Sequence, residues 1–182
     1  MKLSGGVEWA LHCCVVLTAA SQPVPAARLA LLHDVSPSYL AKQMQALSRA
    51  GLVTSVQGKT GGYALTRPAS DITVLDVVQA VDGADPAFVC TEIRRRGPFG
   101  APPEACTKAC GIARVMRAAE AAWRASLRGV TIADLVDSVE RDDGPEALPA
   151  IGAWLNPSPS TYGDPPVRPA SPGRGQLRGG VS

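Results

Sequence analysis

Apolar and polar residues alternate with helical spacing over the first part of the chain, and the pattern predicts three helices. Residues typical of helix ends bound them, with serine at the start of the first and third and proline or glycine beyond their last turns. The predicted ranges are residues 4–20, 26–33 and 37–50. The third carries Leu40, Met44 and Leu47 on one face, so we expect it to pack through that stripe.

The pattern changes to β-branched residues after Gly51. Residues 52–56 and 63–66 predict two short strands, joined by a flexible turn at residues 58–62. Short helices followed by a β-hairpin are typical of a winged helix-turn-helix. The predicted fold is therefore mainly α with a small β-hairpin wing, and residues 1–82 are the predicted DNA-binding domain.

Helical spacing returns in the second half of the chain. A helix to about residue 81 and another to about residue 139 each begin with a capping-box pattern, Thr73 with Asp76 and Thr131 with Asp134. Between them the pattern predicts a long helix over about 104–127, which we expect to form much of a dimer contact. Its apolar stripe consists of Ile112, Val115, Met116, Ala119 and Trp123.

The remaining segments have few large apolar residues. Residues 83–103 are rich in Gly, Pro and Arg and predict a loop, while residues 104–140 are the predicted dimerisation helices. From Asn156 onward the chain is largely Pro, Gly and Ser, which cannot bury enough surface to offset its ordering entropy. We therefore predict that residues 141–182 form a mostly disordered tail.

Composition narrows the class of protein. The net charge is only +2, so contact with phosphates requires a local basic patch. No apolar run is long enough for a transmembrane helix, and Glu8 and His12 interrupt the apolar segment that would otherwise resemble a signal peptide. The odd number of cysteines, five, fits a secreted disulfide framework poorly. We therefore expect a cytoplasmic protein.

The third predicted helix carries polar residues where such helices meet base edges. Gln45 and Arg49 farther along it, and Arg67 beyond the hairpin, are further candidates for base or phosphate contacts. Solvated surface residues and a protein-interaction role for the winged helix are the alternatives. The candidate DNA-binding residues are Ser36, Ser38, Tyr39, Lys42 and Gln43 on the helix and Gln57 and Lys59 on the wing.

Three cysteines, Cys90, Cys106 and Cys110, surround the predicted start of the long helix. Thiolates select iron–sulfur clusters, zinc or copper(I), or they exchange disulfides. Cys106 and Cys110 lie one turn apart on the predicted helix, so their thiols would share a face. The helix N-terminus and the nearby basic side chains would stabilise thiolates.

Three cysteines leave a two-iron cluster one ligand short. Glu8 and His12, at i and i+4 on the first helix, project from one face and are acceptable iron ligands. The alternatives are a solvated glutamate and a histidine packed on the core. A zinc site built from Cys90, Cys106, Cys110 and His12 also has acceptable ligands.

The other candidate residues have simpler interpretations. Cys13 and Cys14 are expected to be small buried hydrophobes. His33 is expected to be structural or exposed, and Trp123 and Trp154 to be packing residues. A nucleophilic Cys–His pair lacks an accompanying Gly-rich turn, paired carboxylates or phosphate loop, so we predict that the chain is not an enzyme.

Four segments together resemble the iron–sulfur winged-helix regulators of the IscR and NsrR kind, over about residues 1–140. One departure lies on the wing, where many relatives carry Arg and this chain has Gln57, although Lys59 could substitute. The segments are Ser36-Pro37-Ser38-Tyr39-Leu40, Arg49-Ala50-Gly51-Leu52-Val53, Gly61-Gly62-Tyr63-Ala64-Leu65-Thr66-Arg67-Pro68 and Ile72-Thr73-Val74-Leu75-Asp76-Val77-Val78.

The run Glu8-Trp9-x-x-His12, with Cys90 and Cys110, is similar to a redox-responsive branch of that family. The resemblance implies a homodimer that binds a double-stranded DNA operator and is bridged by a [2Fe–2S] cluster. Cys90 and Cys110 of one subunit and Glu8 and His12 of the other would be its ligands. Trp9 would lie against the cluster, and Cys106 would be a neighbour without a ligand role.

These implications define the predicted function. The chain is expected to be a transcription regulator whose cluster senses redox state and switches operator affinity, with residues 83–103 as the cluster-binding loop. The alternatives are a regulator with bound zinc or a cysteine thiol switch, and a regulator whose cysteines hold nothing.

Overall fold

The computed structural model describes residues 3–58 and 61–156, which form helices and one β-hairpin. The hairpin pairs β1 (Val53–Val56) with β2 (Gly62–Leu65) in antiparallel register. This confirms the predicted fold class. The helices are α1 (Gly5–Thr18), α2 (Ala26–Leu32), α3 (Pro37–Arg49), α4 (Val74–Asp82), α5 (Gly111–Arg128), α6 (Ile132–Asp143) and α7 (Ala147–Leu155).

Helix α1 runs through the centre of the core. Its Cys13 and Cys14 are fully buried, as expected for small hydrophobes, and burial raises the pKa of each thiol to about 12. The apolar stripe of α3 is also fully buried and packs on α1, α2 and α4. Helix α1 and the helix-turn-helix therefore share one core.

Local hydrogen bonds explain the predicted helix starts. The Ser36 hydroxyl accepts the Tyr39 N–H and caps α3. The capping boxes predicted at Thr73 and Thr131 are both present. Ser4 occupies the N-cap position of α1, but its backbone N–H and its hydroxyl both donate to Asp82 at the end of α4.

The long helix begins later than predicted, at Gly111 instead of about residue 104. The chain before it forms only a 3₁₀ turn ending at Cys106, and the carbonyls of Cys106 and Lys108 accept N–H groups of Arg94 instead of helical ones. Cys106 and Cys110 therefore do not share a helix. The loop between α4 and α5 covers residues 83–110 and includes all three cysteines; we call it the cysteine loop.

The predicted disordered tail is wrong in its first part, because α6 extends to Asp143 and α7 follows it. Gly152 of α7 lies so close to the Ala19 carbonyl that a Cβ would not fit. The Arg28 guanidinium stacks on the Trp154 ring, 4.6 Å from its centroid, and Asn156 Oδ1 accepts N–H groups of the α1–α2 turn. Residues 157–182 of the predicted tail lie outside the described residues.

Candidate functional site

Cys90 and Cys110 lie together although they are far apart in the sequence. Their Sγ atoms are 3.8 Å apart. Two thiolates on one tetrahedral metal with bonds of about 2.3 Å have sulfurs roughly 3.8 Å apart. The pair therefore fits two ligands of a single tetrahedral ion. It is also close enough to form a disulfide after a small movement.

The start of α5 stabilises a thiolate at Cys110. Cys110 is the N-cap residue of α5, and its Sγ accepts the Ala113 N–H at 3.3 Å. Backbone N–H donation by Ala113, with smaller effects from the Cys90 thiol, the Ile112 N–H and the Arg94 charge, lowers the pKa of Cys110. Negative charge at this sulfur is therefore favoured by fixed dipoles.

Cys90 is the less acidic member of the pair. The Glu92 backbone N–H lowers the pKa of its thiol, but burial, the Cys110 thiol and the Glu92 carboxylate together raise it. These environments therefore favour the neutral form of Cys90 and the charged form of Cys110.

Arg94 organises the cysteine loop. Its Nε donates to Glu92 Oε2 at 2.8 Å, and its Nη2 donates to the carbonyls of Lys108 and Cys106 at 2.5 and 3.4 Å. One side chain therefore joins the segment after Cys90 to the segment before Cys110. The sequence indicated Arg94 only as one of the nearby charges. Its structural role and that of Glu92 depend on contacts between distant parts of the loop, which local sequence patterns do not reveal.

The two sulfurs face a cleft of about 430 Å³. Its other walls are mainly apolar: Phe88, Val89, Ile93 and Ile112. Cys106 is half-buried but does not line this cleft. Over residues 3–58 and 61–156, no three His, Cys, Asp or Glu side chains converge as a metal site.

Glu8 and His12 lie elsewhere in the same chain. Both are exposed on α1 and line a groove of about 300 Å³ between α1 and α6. The structure brings these two residues together, as their i,i+4 spacing predicts, but does not bring them to Cys90 and Cys110 within one chain. The same groove holds Asp142 and Asp143, which the sequence did not single out.

Three rings connect this groove to the helix-turn-helix. The His33 ring at the end of α2 lies 6.0 Å from the Trp9 ring and 5.8 Å from the His12 ring, centroid to centroid. Its Nε2 is buried without a hydrogen-bond partner among the described residues. Burial and, secondarily, His12 lower the pKa of His33. His33 is thus a packing residue in direct contact with two candidate sensor residues, which its sequence position alone did not reveal.

Most of the candidate DNA-binding residues lie on the surface. Ser36, Ser38, Tyr39 and Lys42 are exposed at the start of α3, and Gln57 is exposed at the end of β1. Lys59 lies outside the described residues. Arg67 is occupied by the Asp71 carbonyl and the Asp76 carboxylate.

Gln43 is a correction, because only 5% of it is exposed. Gly6 of α1 has no side chain, so α3 approaches closely and the Gln43 amide fills the space that a Cβ at position 6 would need. Gly5 is likewise beside the Tyr39 hydroxyl. Gln43 is therefore a contact between α1 and α3 and not a surface residue available to DNA.

The described helices include none that is both long and apolar enough to cross a membrane.

Known proteins with similar sequences or structures include several regulators. Residues 3–138 match the model of the Rrf2 family, described as an iron-dependent transcriptional regulator. The protein aau3 of Rhizobium meliloti is 39% identical over 108 residues, which are 59% of this chain and 66% of that protein. The regulator IscR of Vibrio atlanticus is 40% identical over 92 residues, 50% of this chain and 53% of IscR.

A solved structure shares the fold. CymR of Bacillus subtilis, named as a global cysteine regulator, superposes with a TM-score of 0.55 at 22% identity, over 76% of this chain and 98% of CymR. The family match covers most of the described residues, from before α1 into α6. The chain therefore belongs to the Rrf2 family, whose members are transcriptional regulators and not enzymes.

Proposed function

We propose that this chain is a dimeric, redox-sensing transcription regulator of the RsrR kind. It binds a double-stranded DNA operator and holds a [2Fe–2S] cluster whose oxidation state sets operator affinity. The observation that carries the proposal is the Cys90–Cys110 pair, with sulfurs 3.8 Å apart facing a cleft with apolar walls. Two thiolates at this spacing supply one iron of such a cluster and leave the other iron without ligands.

The remaining ligands are proposed to come from a second copy of the chain. Glu8 and His12 are exposed, lie on one face and are separate from the cysteines of their own chain. Cys90 and Cys110 would therefore hold one side, and Glu8 and His12 of the partner subunit would hold the other. Cys106 has no ligand role in this arrangement. A single-chain zinc site is disfavoured, since no three donors converge among the described residues.

The chain's own residues would tune and relay the response. When bound, the cluster supplies a one-electron change of charge. The Ala113 N–H and the Arg94 guanidinium offset negative charge at Cys110. Trp9, which contacts His33, would adjust to a change at the neighbouring His12. Because α1 also contacts α3 at Gly6, a displacement of α1 reaches the residues that face DNA.

Metal and sulfide analysis of anaerobically purified protein tests the cluster. We expect two irons and two sulfides for each site shared between the subunits, and the visible absorption of a [2Fe–2S] centre. Cys90→Ala and Cys110→Ala should abolish it, while Cys106→Ala serves as the matched control and should retain it. Replacement of Glu8 or His12 by Ala should weaken retention, and full retention in both would overturn the shared ligand set.

Operator binding tests the switch. Oxidised and reduced protein should differ several-fold in affinity for the same DNA at fixed salt, because salt alone changes such affinities strongly. Lys42→Ala should weaken operator binding by the oxidised and the reduced protein to the same extent, since it removes a phosphate or base contact and leaves the proposed sensor residues intact. Equal affinities of the two oxidation states would overturn the switch and leave the cluster standing.

A cysteine thiol switch is the second candidate function. It is favoured by the same 3.8 Å separation and by the lowered pKa of Cys110, which suit thiol–disulfide exchange. Two thiols would form a disulfide by passing two electrons and two protons to an external disulfide oxidant. Colourless, iron-free protein that loses two hydrogens on oxidation, with a matching change in DNA affinity, would support this candidate over the first.

A further inference from the structure

The groove between α1 and α6 combines an apolar floor with an acidic rim. Leu11, Leu135 and Val139 supply apolar surface, and Asp142 and Asp143 lie beside them. Both aspartates are exposed, and neither is in an ion pair within the described part of the chain. With Glu8 in the same groove, three carboxylates surround one apolar surface.

The cysteine loop presents the opposite combination. Phe99 is 98% exposed and Ile93 is 72% exposed, which is unusual for side chains of this size. Arg95 and Arg96 are also exposed. In residues 3–58 and 61–156 neither arginine is in an ion pair. The loop therefore offers apolar side chains and cations where the groove offers apolar surface and anions.

We propose that the α1–α6 groove of each subunit receives the cysteine loop of a second copy of this chain. In this arrangement Arg95 and Arg96 lie against Asp142 and Asp143 of the partner subunit, and Phe99 covers the apolar floor. The inference rests on the proposed function in one respect, since a shared ligand set requires the partner's cysteines to reach Glu8 and His12, which line this same groove. It adds the contacts that hold the loop there.

Symmetry strengthens contacts that are individually weak. An exposed ion pair contributes little to association, but in a twofold dimer each pair occurs twice. Reversing one side of the pairs replaces attraction by repulsion at both copies. We therefore expect charge reversal to raise the dimer dissociation constant by at least about ten-fold.

Charge exchange in the full chain tests the proposal. The loop variant carries Arg95→Glu and Arg96→Glu, the groove variant carries Asp142→Arg and Asp143→Arg, and the exchange variant carries all four. Dimer dissociation is measured by analytical ultracentrifugation on cluster-loaded and metal-free protein at low and high salt. Arg49→Glu and Asp137→Arg, which lie outside the loop and the groove lining, are matched controls.

The expected pattern is weakening in each double variant and recovery to within a few-fold of the parent in the exchange variant. The differences should shrink at high salt, and the controls should match the parent. Unchanged dissociation in either double variant, or no recovery in the exchange variant, would overturn the proposal. If the groove variant changed the sedimentation of the monomer but not dimer dissociation, the occupant of the groove would be residues 157–182 of the same chain. That result would also overturn the proposal.

The outcomes separate this inference from the proposed function. If dimerisation recovered in the exchange variant and the protein held no iron or sulfide, loop docking would be supported and the proposed cluster sensor would be overturned. A normal cluster with dissociation insensitive to all four changes would leave the sensor standing and sink loop docking. A parent protein that is monomeric in both forms would overturn both.

Discussion

Cys110 performs two functions with one sulfur atom. It caps α5 through the Ala113 N–H, and it faces Cys90 across 3.8 Å. The Ala113 N–H that donates to Cys110 at the start of α5 also lowers the pKa of the thiol. The buried pair Cys13 and Cys14 shows the opposite environment, in which burial raises each pKa to about 12.

Alkylation of the reduced, metal-free protein should follow this contrast. Near pH 8 iodoacetamide should modify Cys110 first, because the thiolate is the nucleophile, and should leave Cys13 and Cys14 intact until the protein is denatured. Peptide mass spectrometry at successive times measures the order. Cys110→Ala is the control for assignment of the fast site. Early modification of Cys13 would contradict the prediction.

The same two pKa values give a pH dependence of stability. The folded pKa of each thiol, about 12, lies above its ordinary value of 9.0. As pH rises above 9, the unfolded chain ionises first, so the stability that these thiols contribute is lost between about pH 9 and 12. Urea denaturation should show a shallower alkaline decline in Cys13→Ala, and an identical decline would contradict the assignment.

The structure also shows which helix boundaries local sequence can predict. Capping boxes at Thr73 and Thr131 were predictable because the hydrogen bonds join residues three apart. The start of α5 was not, because the chain before it is held by distant partners of Arg94. Gln43 was misassigned for a similar reason, since only the proximity of Gly6 explains the burial of a polar residue.

Helix α7 is the element that sequence patterns missed entirely. It is short, and the reason for its buried residues Leu148, Gly152 and Leu155 is visible only in the structure, where α7 packs on the turn between α1 and α2. Asn156 joins the end of α7 to that corner, accepting the Ser21 N–H at 2.9 Å and the Gln22 N–H at 3.2 Å. The family model ends at residue 138, so α7 lies beyond the part of the chain that it matches.

Removing the Asn156 side chain should destabilise the fold. Asn156→Ala deletes the acceptor for two backbone N–H groups, and we expect a loss of roughly 1 kcal/mol per hydrogen bond at most. Urea denaturation measures it. Asn156→Asp keeps an acceptor oxygen and is the matched control, with a smaller loss. Equal stability of the Ala variant and the parent would contradict the role assigned to this contact.

At the scale of the whole molecule, α5 carries a stripe of exposed apolar side chains. Ile112 and Val115 are 70% and 68% exposed, and Met116 is 41% exposed, all on one side of the helix. Trp123, predicted on the same stripe, instead packs against the cluster of Val7, Val74 and Val78. The sequence therefore predicted the stripe. In the structure its first part is exposed, whereas Trp123 packs within the chain itself.

Introducing a charge into that stripe should separate the subunits. Val115→Glu places a carboxylate where a dimer would bury it, and because Val115 is exposed in the single chain, its folding should be unaffected. We expect monomers by ultracentrifugation, unchanged circular dichroism and loss of the [2Fe–2S] absorption. Ala121→Glu, which adds the same charge on another exposed side of α5, is the control. A dimeric Val115→Glu protein would contradict the proposed contact.

The absence of side chains at Gly5 and Gly6 has a mechanical consequence. A helix rises about 1.5 Å per residue, so Glu8 lies only about 3 Å along α1 from the point where Gly6 meets Gln43. A helix is stiff over two residues, so a displacement of the α1 backbone at Glu8 would also displace Gly6 against Gln43 of α3. Ala10 and Cys13, farther along α1, are buried in the core and fix that part of the helix. The first turn of α1 is therefore the part whose displacement the contact with α3 would transmit.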